Sequence, residues 1–550
     1  MTNGGLRSRA WPLLFAGIAL LYLYFIPYFP ALNNPNETSR VYQIRAAVEL
    51  HKLSVNEQIA RYGMVNDLGK RDGIYYAGKA PGTTFVGAPI YAALRWIDAA
   101  RGLPPASAFR LLYSLRLVGA LLPTLAFVLA FRRFLRRYVS DEPAADALAT
   151  FLALGSMLLP YALLFVNHSL SAATAFGSVI AVEAAARSLD GERGPARWGS
   201  GRAWAWLALA GLLVAMSSAL DYALLPVSLM LMVYGALKIR RRPAGLLAIG
   251  AGALVPSIAT AVYHTICWGG PFKLSTSFLA NPEFAANQSR GLFGVVGMSW
   301  ASMTGILISP SKGLLYLAPV FTLGIAGAAA ACKLSRERRL AVLCLAVTLW
   351  MIVYAGSLVN WDAGWTVGPR YMTVVVPFVV FSMGLCWKAL SQRAKAVLLP
   401  IGIGLGIASV VMMTMTSVLF PHLPPEYKNP AFELIWPLWR DGITPHNLGR
   451  SLFGWSGRAA QAPFVIVLGA VLLYLVWVAS GSFLHPRPSV GRRIASAAGA
   501  IAIAALFLGL ASIPRTEAKS VVQTGTQWIR RSVWEPPIAA AQGTSSPRAR

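Results

Sequence analysis

Few residues in this chain could do chemistry, and they are of two kinds. Glu37 and Asp67 are acids in a polar stretch, while Lys79, Lys312 and Arg370 are cations set among turns, aromatic residues and apolar runs. A carboxylate placed against a hydroxyl can take its proton, raising the rate of such a reaction by roughly 10²- to 10⁴-fold. Cations beside it can hold an anion such as phosphate, an arginine through paired hydrogen bonds.

All of these residues but Asp67 also have a plainer reading. Asn34-Pro35-Asn36-Glu37 has the form of a helix start, with Asn34 as N-cap, Pro35 at N1 and Glu37 at N3 reaching back as in a capping box. Val41, Ile44 and Val48 then recur at helical spacing beside Arg40, Arg45 and Lys52, which predicts an amphipathic helix on the membrane surface. Lys79 lies between the turn signals Asp72-Gly73 and Pro81-Gly82, so it is either a solvated lysine on a hairpin or a contact for a lipid phosphate. Arg370 opens an apolar run, where it either binds phosphate or snorkels beside Trp361 and Trp365. Lys312, in Ser309-Pro310-Ser311-Lys312-Gly313, is a second phosphate contact or part of a helix cap.

Two histidines, His168 and His264, could join Glu37 or Asp67 on a divalent metal, although no His-x-x-His or Asp-x-Asp spacing is present. A hydrogen-bonded structural role is their alternative. Asp221, beside Tyr222, suits either acceptor hydroxyls or a loop arginine, and Glu183 suits an ion pair with Arg187 four residues on.

The elements that must position these groups are membrane spans. Of 550 residues, 56% are hydrophobic and 13% charged, against roughly a quarter charged in soluble chains. Apolar runs near the ~20 residues needed to cross a bilayer recur at 11–29, 111–131, 143–165, 170–186, 204–220, 223–237, 244–266, 314–332, 340–358, 371–387, 397–420, 462–480 and 495–513. The expected fold is therefore an all-α polytopic membrane domain over 1–513 with about thirteen spans. The net charge of +28 sits in short clusters between the runs: Arg132 to Arg137, Arg187 to Arg202, Lys238 to Arg242, Lys333 to Arg339, Lys388 to Lys395 and Arg487 to Arg493. With a cytoplasmic N-terminus all these clusters fall inside. Such short clusters, without a basic arm, point to membrane lipids rather than nucleic acid. The four cysteines lie in or beside apolar runs, which indicates neither a disulfide framework nor a zinc site.

On the opposite, extracytoplasmic face fall the long stretches 30–110, 267–313 and 421–461 and the tail 514–550, expected to be flexible. Glu37, Asp67, Lys79 and Lys312 fall in these stretches, and Asp221 and Arg370 in the short turns 221–222 and 359–370 on the same face, whereas Glu183 lies toward the cytoplasmic end of its span. Chemistry is therefore expected there.

An acid soon after the first span, a surface helix with Arg40, then Asp67 and the run Asp72 to Gly82 resemble the first outer loop of GT-C glycosyltransferases. Lys79-Ala80-Pro81 stands where aminoarabinose and mannosyl transferases of that superfamily carry Lys-Pro-Pro, and Asn36 stands at the first position of their acidic pair. Phe165-Val166-Asn167-His168, Asp221-Tyr222, Trp268-Gly269-Gly270-Pro271-Phe272, Ser309 to Leu314 and Trp361 to Tyr371 are similar to outer-face motifs of bacterial members. The resemblance implies a GT-C fold with surface helices in the first outer loop, in the inner (plasma) membrane of a bacterium. It implies transfer of a sugar, with inversion, from a polyprenyl-phosphate donor to an extracytoplasmic glycan, lipid or protein. Glu37 or Asp67 would then be the base, Lys79, Arg370 and Lys312 would hold the donor phosphate, and Arg40, Tyr76, His168, Asp221, Trp361 and Trp365 would contact substrate. No cofactor is demanded, a divalent metal being an option.

Two other classes fit the same composition. A secondary transporter or flippase would place polar groups near the bilayer midplane on broken helices, often in two similar halves. An oligosaccharide polymerase or ligase would share the lipid-linked donor.

Overall fold

The structure is a computed structural model. It describes residues 4–26, 34–190 and 201–515, together with Gln523 and Gln527. The remainder of the tail, the end of the first expected span and most of the basic stretch from Arg187 to Arg202 lie outside the described residues.

The chain is an all-helical membrane protein with one small hairpin. Among the described residues nine helices are long and apolar enough to cross a bilayer, and three shorter apolar helices, Ala10–Tyr24, Tyr222–Lys238 and Phe321–Leu334, match further expected spans. The run 143–165 is broken. It forms α7 (Glu142–Leu154) and α8 (Leu158–Ala162), separated at Gly155 and Ser156, so the expected thirteen spans are not thirteen continuous helices.

The stretch between the first helix and Leu122 holds most of the elements that frame the site. After α1 (Gly4–Tyr24), the helix α2 (Pro35–Glu49) starts as its sequence predicts: Asn34 accepts a hydrogen bond from the Asn36 amide at 2.9 Å, and Pro35 occupies the first turn. The short α3 (Asn56–Tyr62) leads into a hairpin of β1 (Leu68–Arg71) and β2 (Ile74–Ala77), in register Leu68↔Ala77 to Arg71↔Ile74. Its turn is Asp72-Gly73, both at positive φ (50° and 82°), as a tight hairpin turn requires. Then α4 (Gly82–Ala100) runs beside α2, and α5 (Ala108–Arg116) passes through a π-helical turn into α6 (Leu122–Leu135).

The polar face of α2 is not solvated, as an amphipathic helix lying open on a surface would have it. Asn36, Glu37, Thr38, Ser39, Arg40 and Gln43 are all buried, because α4, α5 and the Phe165 loop close over it. A small core of Val41, Ile44, Tyr91, Leu111, Leu112, Leu115 and Phe165 joins these pieces, distinct from the main core that runs through the bundle.

The opposite end of the bundle carries the basic loops, tied by carboxylates. Arg132 pairs with Asp146 at 2.6 Å, Lys395 with Asp141 at 3.2 Å, and Lys238 with Glu183 at 2.7 Å. The expected partner of Glu183, Arg187, stands at 4.0 Å, so Lys238, on a neighbouring helix, is its nearer cation.

Candidate active site

At the end away from the basic loops, α9 (His168–Asp190) begins, α10 (Gly201–Leu220) ends and the helix Arg370–Ala389 begins. The hairpin and the start of α4 meet them there. Gly82 makes this approach possible: a Cβ on it would stand 2.6 Å from the Leu220 amide and 2.7 Å from the Ala219 carbonyl. Its chain thus brings Lys79 and Thr83 beside the Asp221 turn, where Asp221 caps a short 3-10 helix by accepting from the Ala223 amide at 3.1 Å.

Arg40 is the hub. Its Nε donates to Thr83 Oγ1 at 2.8 Å, one terminal nitrogen to the Asn36 carbonyl at 2.9 Å and to Asn36 Oδ1, and the other to Asn167 Oδ1 at 2.8 Å. Asn167 in turn donates to Asp221 Oδ2 at 2.9 Å. Burial lowers the Arg40 pKa to about 10, against the charges of Asp67, Asp221 and Glu37, which favour the cation.

The acids differ in their partners. Asp67 pairs with Lys79 at 2.9 Å, and both side chains keep some exposure, 12% and 25%. Burial raises the Asp67 pKa, but the Lys79 charge and hydrogen bond outweigh it and hold the carboxyl below its ordinary value. Glu37 lies deeper. Arg116 donates Nε to its Oε1 at 2.8 Å and a terminal nitrogen to its Oε2 at 2.6 Å, and the Phe165 amide donates to Oε1 at 2.8 Å. Here too burial pushes up and Arg116 pulls down, leaving the carboxyl below its ordinary value. The capping-box expectation fails: Asn34 caps α2, but Glu37 does not reach back, because both its oxygens face Arg116. Asp221 is different again, for burial raises its pKa and no cation touches it among the described residues.

Arg370 is the least committed cation. It is partly exposed, and among the described residues its guanidinium makes one long hydrogen bond, to Tyr371 Oη at 3.4 Å, while its Nε has no partner. It lines a pocket of ≈ 10 Å³, room for about one water, with Asn36, His168, Trp365, Thr366 and His422. His422 is held neutral by burial, its pKa brought down to about 4. His168 packs edge-on against Tyr161, ring centroids 4.9 Å apart.

Lys312 stands behind the pocket wall and the other expected site residues lie farther off. The Lys312 ammonium is buried and donates to the carbonyls of Gly364, Thr366 at 3.0 Å and Leu423 at 3.2 Å, with burial lowering its pKa to about 7. Tyr76 faces Trp268, centroids 5.3 Å apart, on the far side of the hairpin. Trp361 packs over Gly305. His264 contacts Tyr222 Oη at 2.7 Å and the Pro271 carbonyl at 3.1 Å, away from Glu37 and Asp67. Among the described residues no three His, Cys, Asp or Glu side chains gather in a way that could hold a metal ion.

Two important residues escaped the sequence reading. Arg116 had a signal, an arginine a few positions inside an expected span, where ionisable groups are rare and call for a partner. His422, just past the end of a span, had none.

No family model and no curated protein sequence matches this chain. Solved structures are similar in fold. ArnT from Cupriavidus metallidurans in the apo state is 14% identical, with a TM-score of 0.46 over 92% of this chain and 78% of that one. The same enzyme bound to undecaprenyl phosphate gives 15% and 0.42 over the same shares. The oligosaccharyltransferase AglB from Archaeoglobus fulgidus, in complex with an inhibitory peptide and a dolichol-phosphate, is 13% identical with a TM-score of 0.42 over 80% of this chain. This chain spans 59% of AglB's length.

Proposed function

We propose that the chain is a GT-C type membrane glycosyltransferase that moves a sugar from a polyprenyl-phosphate donor to a hydroxyl of a glycan, lipid or protein, with inversion at the anomeric carbon. The observation that carries this reading is Arg370, a guanidinium at a helix start whose Nε has no partner among the described residues, which lines a small pocket and feels the charges of Asp67, itself paired with Lys79, and of Asp221.

The chemistry follows from that set. A phosphate leaves without protonation, so charge stabilisation is the main demand on the site. Arg370 offers a planar fork for two phosphate oxygens, and Lys79, on a flexible stem, can exchange Asp67 for phosphate as the donor enters. Asp67 then keeps Lys79 in place between turnovers. Arg40 is a brace: it spends its donors on Asn36, Thr83 and Asn167. His168 and Trp365 form walls of the pocket. Lys312 and Glu37 hold loops and helices together around it. A carboxylate of the cluster takes the acceptor's proton while the acceptor oxygen attacks from the side opposite the phosphate.

The polar groups of this cluster collect at one end of the bundle and not at its middle, which argues against a transporter. The test uses purified protein in nanodiscs with a panel of undecaprenyl-phosphate hexoses, pentoses and aminosugars. Release of undecaprenyl phosphate that depends on Arg370 supports the reading. Passage of the intact lipid across a vesicle membrane, without bond cleavage, would put a flippase in its place.

A further inference from the structure

Three carboxylates surround Arg40: Glu37, Asp67 and Asp221. Only one of them is free to take a proton without first giving up a cation. Glu37 has both oxygens on Arg116 and is fully buried. Asp67 has Oδ1 on the Lys79 ammonium at 2.9 Å. A carboxylate in direct contact with a cation is a weaker base, since protonation breaks the pair.

Among the described residues Asp221 is held by neutral donors alone. Its Oδ1 accepts from the Ala223 amide at 3.1 Å and its Oδ2 from Asn167 Nδ2 at 2.9 Å. The orientation of that amide is fixed: Arg40 can only donate, so the Asn167 atom facing it must be the oxygen, and the nitrogen must face Asp221. The carboxylate also sits on a short extended link, φ −150°, between two helices, and keeps some exposure. It is thus oriented, partly open and unpaired.

We propose that Asp221 is the general base of the transfer, with Asn167 and Arg40 as positioning residues. This rests on the glycosyltransferase reading given above. The acceptor O–H gives its proton to Asp221, the acceptor oxygen forms a bond to the anomeric carbon, and the bond from that carbon to the phosphate oxygen breaks. Its electron pair leaves with the polyprenyl phosphate, which departs as a dianion. The −2 charge of carboxylate plus phosphodiester is the −2 charge of the monoester product. The raised pKa of Asp221 suits this role, since a base works best when its pKa lies nearer the working pH. The charged and titratable groups that face it are Arg40 from α2, Arg370 from the start of its helix, Tyr222 from its own turn and Tyr354 from the helix Arg338–Gly356.

The experiment compares wild type with Asp221→Asn, Asp221→Glu and Asp67→Asn in nanodiscs. It measures undecaprenyl phosphate binding, and turnover over pH with whichever undecaprenyl-phosphate sugar of the panel the wild type uses. Asp221→Asn keeps the Ala223 contact, so it is expected to bind the lipid within about twofold of wild type while turnover falls at least ~10²-fold. Asp221→Glu should regain part of the rate with a shifted acid limb in the pH profile. Asp67→Asn should chiefly weaken binding, through Lys79. If Asp221→Asn keeps more than a tenth of wild-type turnover, or loses rate only as far as it loses binding, the proposal is overturned while the transferase reading stands. A wild-type protein that neither binds undecaprenyl phosphate nor cleaves any donor overturns both.

Discussion

Glu37 and Arg116 meet through two hydrogen bonds, at 2.8 and 2.6 Å, in a place where both side chains are buried. The pair joins α2 to the π-helical turn that opens a spanning helix. Removing one member strands the other charge, at a cost of about 3–5 kcal/mol. Glu37→Gln and Arg116→Gln should therefore lower the melting temperature of the detergent-purified protein clearly. The double variant Glu37→Leu with Arg116→Met should recover part of it, the remainder being lost with the Phe165 amide's acceptor. Single variants that melt like wild type would contradict the structural role given to Glu37.

The same pair predicts an acid limit. Burial raises the Glu37 pKa and Arg116 lowers it further, so the folded value lies below the unfolded one. A group of this kind adds stability above its unfolded pKa and loses it as pH falls through the folded value. The wild-type melting temperature should drop on acidification below the ordinary glutamate range, and more steeply than in the apolar double variant. Equal slopes in the two proteins would rule this out.

Donor binding should depend on Arg370 and Lys79. A hydrogen bond to a charged group contributes about 1.5–3 kcal/mol, so each alanine variant should weaken undecaprenyl phosphate binding about 10- to 100-fold. Arg370→Lys should recover little, since an ammonium lacks the planar fork. Arg290→Ala, at an exposed position, serves as the control. Equal affinities for Arg370→Ala and the control would remove Arg370 from the phosphate site.

For Lys312 the measurement separates two roles. Lys312→Met leaves the carbonyls it joins without a donor, at about 1–3 kcal/mol for each left buried. The melting temperature should fall, with lipid affinity following only as far as folding is lost. A weaker affinity at an unchanged melting temperature would return Lys312 to the phosphate.

Sidedness can be read by cysteine labelling. In right-side-out vesicles, relative to unsubstituted protein, Ser140→Cys should be shielded from an impermeant maleimide and Ser289→Cys should react; both positions are exposed. The reverse pattern would invert the bundle and move the cluster to the cytoplasmic side.

Much of the frame was legible because local chemistry fixes it. Asn34 and Pro35 announce α2, Asp72-Gly73 announces the hairpin, and apolar length announces the spans. The burial of α2 was not legible. A helix with Asn36, Glu37, Ser39 and Arg40 in one run looks solvated until Arg116, Thr83 and Asn167 supply its partners, and these lie 43 to 127 residues away. Glu37 looked like a cap for the same reason: its local partner was visible and its distant one was not. Lys312 looked like a cation for phosphate, because nothing in Ser-Pro-Ser-Lys-Gly reveals that its acceptors are carbonyls 52 to 111 positions on. Arg370, Lys79 and Asp67 were found because an ionisable residue on an outer loop stands out by type alone.

The Lys312 strap also bears on the order in which the molecule can be completed. It joins the stretch around Ser309 to Thr366 and then to Leu423, so its last acceptor emerges from the ribosome more than a hundred residues after the lysine. Until then the ammonium lacks one of its acceptors. The pocket is closed on one side by Trp365 and Thr366 and on another by Pro421 and His422. A nascent chain halted before residue 421 would therefore hold Arg370 without one wall of the pocket it lines. The charged groups of the candidate site are spread over positions 40 to 370, but residues that close the pocket beside Arg370 follow only at Pro421 and His422.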